Sequence, residues 1–234
     1  MMFISRLITI CLVLLVCHQI ELQATSQSIE FTETTLDNGL RIVVAEDHVA
    51  PVVSIAVNYE VGSRDERRGR TGFAHLFEHM MFEGSENVGD GEHVLLIGNN
   101  GGDVNGTTNK DRTIYFERMP SNQLDLALFL EADRMASLDI TQENLDNQRQ
   151  AVQEERRLRI DNQPYGHVFE VVDELAYTNF AYAHSVIGSM TDLSAATITD
   201  VASFFRTYYA PNNAVLAIVG DVDAETAIEK ARQR

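Results

Sequence analysis

Tryptophan is absent from the 234 residues, and cysteine occurs only at Cys11 and Cys17. Both cysteines lie in an apolar N-terminal stretch. The chain beyond it therefore has no disulfide and no thiolate to serve as nucleophile or metal ligand. Prolines number only four, and no segment has the composition of a linker, a low-complexity tract or a repeat. Basic residues are also scarce, 18 against 35 acidic, for a net charge of −17. Such a surface repels a polyphosphate backbone and argues against nucleic acid as a partner. A long hydrophobic run is missing too. The nearly unbroken run Leu7–Val16 is only about ten residues, and a membrane span needs about 20. Behind Arg6 and ahead of Leu22-Gln23-Ala24, it reads as the core of a secretory signal peptide over residues 1–24, the alternative being a retained anchor. Cleavage predicts an exported protein, periplasmic or secreted, with one mature domain over residues 25–234 and no stable membrane span.

What is present is enough apolar material, 44% of residues, to bury a core. Extended patterns cover Ile29–Leu36, Leu40–Ala45 and Val52–Tyr59, the first two joined at Asn38-Gly39, a hairpin signal. Helical periodicity covers Thr71–Phe82 and a short segment around Glu92–Gly98. Two strand-like runs follow, Asp103–Thr107 and Arg112–Arg118. Helices are expected over Ser121–Ser137 with Ser121 as cap, Thr141–Arg159 with Thr141 as cap, Val168–Tyr177 and Ser194–Tyr209. A strand at Ala214–Val219 precedes a last helix from Asp223. Short strands early and late with long helices between them predict an α+β fold, a mostly antiparallel sheet packed against helices.

The sharpest local pattern is His75-Leu76-Phe77-Glu78-His79. On a helix, positions i, i+3 and i+4 share a face, so His75, Glu78 and His79 project together. Two imidazoles one turn apart suit Zn²⁺, and a carboxylate beside them can take a proton from water. The order inverts the commoner zinc-protease pattern. Apolar residues surround the trio, so the helix is expected to be buried, where unpartnered polar groups are costly.

Zinc needs a third protein ligand, and no cysteine can supply it. On Thr141–Arg159, Leu145, Ala151, Val152 and Leu158 are taken as the apolar face. Glu155 falls within it, and Glu154 sits at its edge. A carboxylate there calls for a cation, either a metal or an arginine in a buried ion pair.

The stretch His75–Gly84, followed by Gly101-Gly102-Asp103-Val104-Asn105-Gly106-Thr107-Thr108, resembles the catalytic N-terminal domain of M16 (pitrilysin or insulinase-type) zinc peptidases of the bacterial exported kind. Glu155-Arg156-Arg157, Tyr209-Ala210-Pro211-Asn212-Asn213-Ala214 and Val219-Gly220-Asp221 extend the likeness from about Thr34 to the chain end. The resemblance implies the M16-type metallohydrolase sandwich. It also implies zinc held by His75, His79 and Glu155, which lies 76 residues beyond His79, with Glu78 as general base. By the same resemblance, the strand around Asn105 pairs with an extended peptide substrate, and Gly102 permits close approach of the backbone. The plainer reading of Asn105 is a Gly-rich turn before a strand.

Gln148 stands where many relatives carry a second glutamate; it can orient a neighbour but supplies no charge. The family also adds a second M16-like domain or subunit, which this chain, stopping at Arg234, does not itself provide. The implied activity is metalloendopeptidase hydrolysis of extended or unfolded peptides. The alternative is a non-catalytic M16-like partner subunit with a binding or assembly role, although such subunits are expected to lose the histidines or glutamates intact here. S-ribosylhomocysteine lyase shares the inverted motif but needs a cysteine, which the mature chain lacks. His48, His93, His167 and His184 have no metal-like spacing and are assigned to surface or loop positions. Arg64, Arg67, Arg68 and Arg70 read as a solvated loop.

Overall fold

The computed structural model describes residues 28–234; the expected signal peptide lies outside them. β1 (Thr32–Thr35) and β2 (Arg41–Glu46) form the antiparallel hairpin that Asn38-Gly39 announces. β3 (Val52–Tyr59) follows, then α1 (Phe73–Met80) and α2 (Glu92–Asn99). β4 (Asp103–Thr108) and β5 (Thr113–Pro120) make a second hairpin. α3 (Leu124–Ser137), α4 (Gln142–Arg156), α5 (Val168–Ala176), α6 (Met190–Ser194) and α7 (Ile198–Tyr208) come next, before β6 (Ala214–Gly220) and α8 (Ala224–Arg232).

The six strands form one sheet in the order β1-β2-β6-β3-β5-β4. All pairings are antiparallel except β2 with β6. Alternate residues of β3, β5 and β6 are buried, among them Ile55, Val57, Tyr59, Tyr115, Met119, Leu216 and Ile218. This period-2 pattern gives the sheet one core face, covered by the helices. The expected α+β sandwich is the fold observed.

α1 lies on that face through residues one and two turns apart, Phe73, Leu76, Phe77 and Met80, all buried. Phe77 packs against Tyr209 with ring centroids 4.4 Å apart, and Tyr209 packs against Tyr59 of β3 at 4.5 Å. His75, Glu78 and His79 therefore face the other way, towards β4 and α4.

Several local expectations are corrected. Ser121 is not a helix cap: a 3₁₀ turn over Ser121–Gln123 precedes α3, and the Ser121 hydroxyl donates to Asp221. The helix expected over Ser194–Tyr209 is two helices. Thr197 breaks it by capping α7, accepting from the Asp200 amide while Asp200 accepts from the Thr197 amide, a capping box. α4 begins at its expected cap, Thr141, but ends at Arg156, and a π-helical turn continues over Arg157–Asp161. Ala151 is exposed and Leu158 is 57% exposed, so the buried stripe of α4 is Leu145, Val152 and Arg156. Glu155 flanks this stripe, about 80° from its centre at about 100° per residue.

α5 is amphipathic with its apolar side outward among the described residues. Phe169 is 79% and Leu175 83% exposed, with Val168, Val171 and Val172 about half exposed. Its polar side faces the body, with Glu170 paired to Arg156 and Asp173 to Lys110. No described helix is long and apolar enough to cross a membrane.

Candidate metal centre

α1 and α4 bring together three side chains from distant parts of the sequence. His75 Nε2 lies 3.6 Å, and His79 Nε2 3.3 Å, from Glu155 Oε2. The two imidazole rings are 4.9 Å apart and nearly perpendicular. Two ligand atoms held tetrahedrally about 2.1 Å from zinc are about 3.4 Å apart, so the observed separations suit that ion. Glu155 is 17% exposed and Glu154 is 58% exposed, which puts the inner glutamate where helical phase put it. The arginine alternative is also present in part. Arg159 forms an ion pair with Glu155 from the rim, its Nη1 2.6 Å from Oε1, leaving Oε2 to the histidines.

Gln148 fixes the tautomer of His79. Its amide nitrogen donates to Glu83 Oε1 at 2.6 Å, so its carbonyl faces His79 Nδ1 at 3.2 Å. A carbonyl only accepts, so Nδ1 carries a hydrogen and Nε2 is the atom turned to Glu155. The electrostatics separate the two histidines. Burial, with the neighbouring His79, lowers His75 to about 4. Burial also opposes charge on His79, but hydrogen bonds with Glu155 and Gln148 outweigh it and its pKa is raised. The hydrogen bond with His79 lowers Glu155. A neutral imidazole beside an ionised carboxylate is the donor set a divalent cation requires.

Glu78 stands beside this trio. Burial raises its pKa, partly offset by the Thr108 hydroxyl, which donates to Oε2. Oε1 has no hydrogen-bond partner among the described residues. Gly106 of β4 makes the room: a Cβ there would sit 3.0 Å from Glu78 Cγ and 3.2 Å from Oε1. Thr108, Gly106, Glu83 and Arg159 were not identified as site residues from the sequence. Their contacts join strand to helix or helix to loop, and only the run Gly106-Thr107-Thr108 inside the quoted motif pointed to any of them.

Asn105 lies exposed on β4, the outermost strand, whose far edge has no strand partner among the described residues. Gly102, at the start of the same hairpin, is closely packed. A Cβ there would come within 2.7 Å of the Arg118 carbonyl and 2.8 Å of Ile97 and Met119 side chains, so its space is used by β5 and α2. His93 is buried on α2 rather than on a surface or loop, His184 lies in a loop with its side chain turned inward, and His48 and His167 are exposed.

His93, Glu117 and Glu131 form a second convergence of ligand types, their nearest atoms within 4.8 Å. It differs in kind from the first, because the Arg134 guanidinium is bonded to Glu131 within it. A fixed cation already occupies the place where a metal would be attracted.

The comparisons with known proteins agree with this geometry. Residues 41–190 match the family described as Insulinase (Peptidase family M16), and residues 195–234 match one described as Peptidase M16 inactive domain. A zinc protease of Helicobacter pylori, PqqE, is 35% identical over 231 residues, covering 98% of this chain and 52% of that protein. The β subunit of the mitochondrial-processing peptidase of Bos taurus is 27% identical, covering 85% of this chain and 40% of that one. The chain thus spans about half the length of the curated relatives it matches. Among solved structures, a protease from Helicobacter pylori superposes with a TM-score of 0.85 at 35% identity, covering 88% of this chain and 50% of that chain. The first half of the periplasmic protease PqqL from Escherichia coli shares the fold, with a TM-score of 0.78 at 24% identity over 87% of this chain and 45% of that chain. Motif, sheet topology and homology converge, and the chain belongs to the insulinase family, peptidase family M16.

Proposed function

We propose that this chain is the metal-bearing domain of a zinc-dependent metalloendopeptidase acting on extended or unfolded peptides. The observation that carries the reading is the convergence of His75, His79 and Glu155 around one point, with Glu78 on the same helical turn and its Oε1 free. In this reading His75 Nε2, His79 Nε2 and Glu155 Oε2 hold zinc. When bound, zinc supplies Lewis acidity to the scissile carbonyl and to a water molecule. Glu78 Oε1 accepts the proton of the attacking water and returns it to the departing amine. Thr108 holds the other oxygen of that carboxylate, so Oε1 keeps its aim through both transfers. Gln148 orients His79. The open edge of β4, with Asn105 on it, offers backbone hydrogen bonds to an extended peptide. Residues 195–234, which match the inactive-domain description, carry none of these side chains.

The partner in this reading is a second M16-type domain or subunit that closes over the site, in keeping with relatives about twice as long. The apolar run Leu7–Val16 supports export, and the Escherichia coli relative of like fold is a periplasmic protease.

Glu78→Gln tests the reading. Glu78 faces the water rather than the metal, so the variant, assembled with its second domain, should keep its zinc. Loss of a general base should lower hydrolysis of an unstructured peptide by about 10²- to 10⁴-fold. Near-normal turnover in a zinc-loaded Glu78→Gln protein would assign the proton transfer elsewhere.

A further inference from the structure

Two buried ionisable groups, Glu66 and His184, take no part in the chemistry above. α1 starts at Gly72, which has no side chain to cap it, so its first amides need an outside acceptor. Glu66 supplies one from the preceding loop, with a fully buried side chain. Its Oε2 accepts from the Gly72 amide at 2.9 Å and its Oε1 from the Ala74 amide at 2.8 Å. A carboxylate in this position also complements the positive end of the helix.

His184 comes from a remote segment to meet the same carboxylate, with Nε2 3.0 Å from Glu66 Oε2. Its Nδ1 lies 2.7 Å from the Phe180 carbonyl, and a carbonyl only accepts, so Nδ1 carries a hydrogen. A proton therefore also lies between Nε2 and Oε2, and the pair is a charge-assisted hydrogen bond. The Phe180 ring stacks on the imidazole and Arg68 lies over that ring, which closes the site.

The chain that continues from His184 grips both ligand-bearing helices. The Thr71 amide and hydroxyl donate to Asp192 Oδ2 at 3.0 and 2.6 Å, just ahead of α1. Arg156 donates to the Gly188 carbonyl at 2.6 Å from the end of α4. Ala74, bonded to Glu66, precedes His75, and Arg156 follows Glu155. The bonds at Ala74 and Arg156 thus each act one residue from a ligand of the centre, and those at Thr71 act one turn ahead of His75.

We propose that Glu66 is a positioning residue for the metal centre. With His184 it anchors the first turn of α1 to the 184–192 segment, which also holds the end of α4, so that His75 and His79 meet Glu155 at ligand spacing. The role rests on the metal reading given above.

Co²⁺ is the probe, because its visible spectrum reports ligand geometry independently of peptide hydrolysis. Glu66→Gln replaces one acceptor by an amide donor that faces a backbone N–H. It should bind Co²⁺ about 10-fold more weakly, with a changed spectrum, at temperatures where the protein is fully folded. His184→Ala keeps both backbone bonds of Glu66 and should weaken Co²⁺ by a smaller factor, and it decides the matter if Glu66→Gln does not fold. His184→Gln, whose amide can donate to Oε2, should restore affinity. Val44→Ala, a cavity in β2 near the edge of the sheet remote from β4, should lower stability while leaving Co²⁺ affinity and spectrum unchanged. Folded Glu66→Gln and His184→Ala proteins with the parent affinity and spectrum would overturn the positioning role. A parent chain that takes up no Co²⁺ would overturn the metal reading, and this role with it.

Discussion

His75, Glu78 and His79 are separated by one turn of a single helix, so their convergence is a local property that any helix with this sequence carries. That is why they were legible in the sequence. Glu155 was legible for a different reason, its inward phase on α4 and its distance from His79. The apolar stripe expected there includes Ala151 and Leu158, which are exposed; the buried stripe is completed instead by Arg156, in phase with Leu145 and Val152. Thr108, Gly106 and His184 carry no periodic signal, because each acts on a residue that only the tertiary fold brings near, and Glu66 reaches the first amides of α1 from an irregular loop just before it. Lone histidines are equally silent, and His93 is a case in point. It is buried beside Glu117, Glu131 and Arg134, with Tyr59 and Tyr115 close by. There burial, reinforced by Glu131, pushes Glu117 up to about 9. The unfolded chain ionises this group at about 4.3, so between these values unfolding releases a proton. Stability from the protonated group is complete below the lower value and is lost as pH climbs to the upper one. Glu117→Gln should therefore leave the thermal midpoint unchanged at about pH 4 and raise it at about pH 8. A lower midpoint at the higher pH would mean that an ionised Glu117 is favourably paired.

At the scale of elements, Asn38-Gly39 turns the first hairpin and Thr141 caps α4 as the sequence leads one to expect, because each uses a side chain or backbone turn local to it. Ser121 failed because its hydroxyl finds Asp221 of a distant loop instead of a helix amide. α5 illustrates a deeper limit: periodicity reveals that a helix has two faces, and the ion pairs at Glu170 and Asp173 decide which one meets the body. The two phenylalanines Phe77 and Phe169 separate these cases. Phe77→Ala empties a fully buried site and should cost about 3–5 kcal/mol in denaturant titration. Phe169→Lys, at a ring 79% exposed, should change stability by less than about 0.5 kcal/mol. A loss at Phe169 comparable to that at Phe77 would show that α5 turns its apolar side inward.

For the whole molecule, the α+β class followed from strands early and late in the chain, but the strand order did not. β6 enters between β2 and β3 and pairs in parallel with β2, a non-local pairing that no local pattern encodes. The proposed metal centre is likewise a whole-molecule feature, since His75, His79 and Glu155 meet only when α1 and α4 have both docked. In the proposed reading, water activation draws on these helices and β4, and groups from a second domain complete the hold on the peptide and stabilise its oxyanion. Losing such groups typically costs about 10²- to 10³-fold or more in turnover. The chain alone should accordingly bind zinc and hydrolyse an unstructured peptide slowly, with turnover restored when an M16-type C-terminal domain is supplied; fast hydrolysis by the monomeric chain would contradict this. The most direct test of the account is the zinc content of the purified, chelator-treated and reloaded chain and its variants. It should be about one Zn²⁺ per chain in the parent and in Glu154→Gln, and near zero in His79→Ala and Glu155→Gln. Full zinc occupancy in His79→Ala and Glu155→Gln would contradict the claim that these side chains hold the metal.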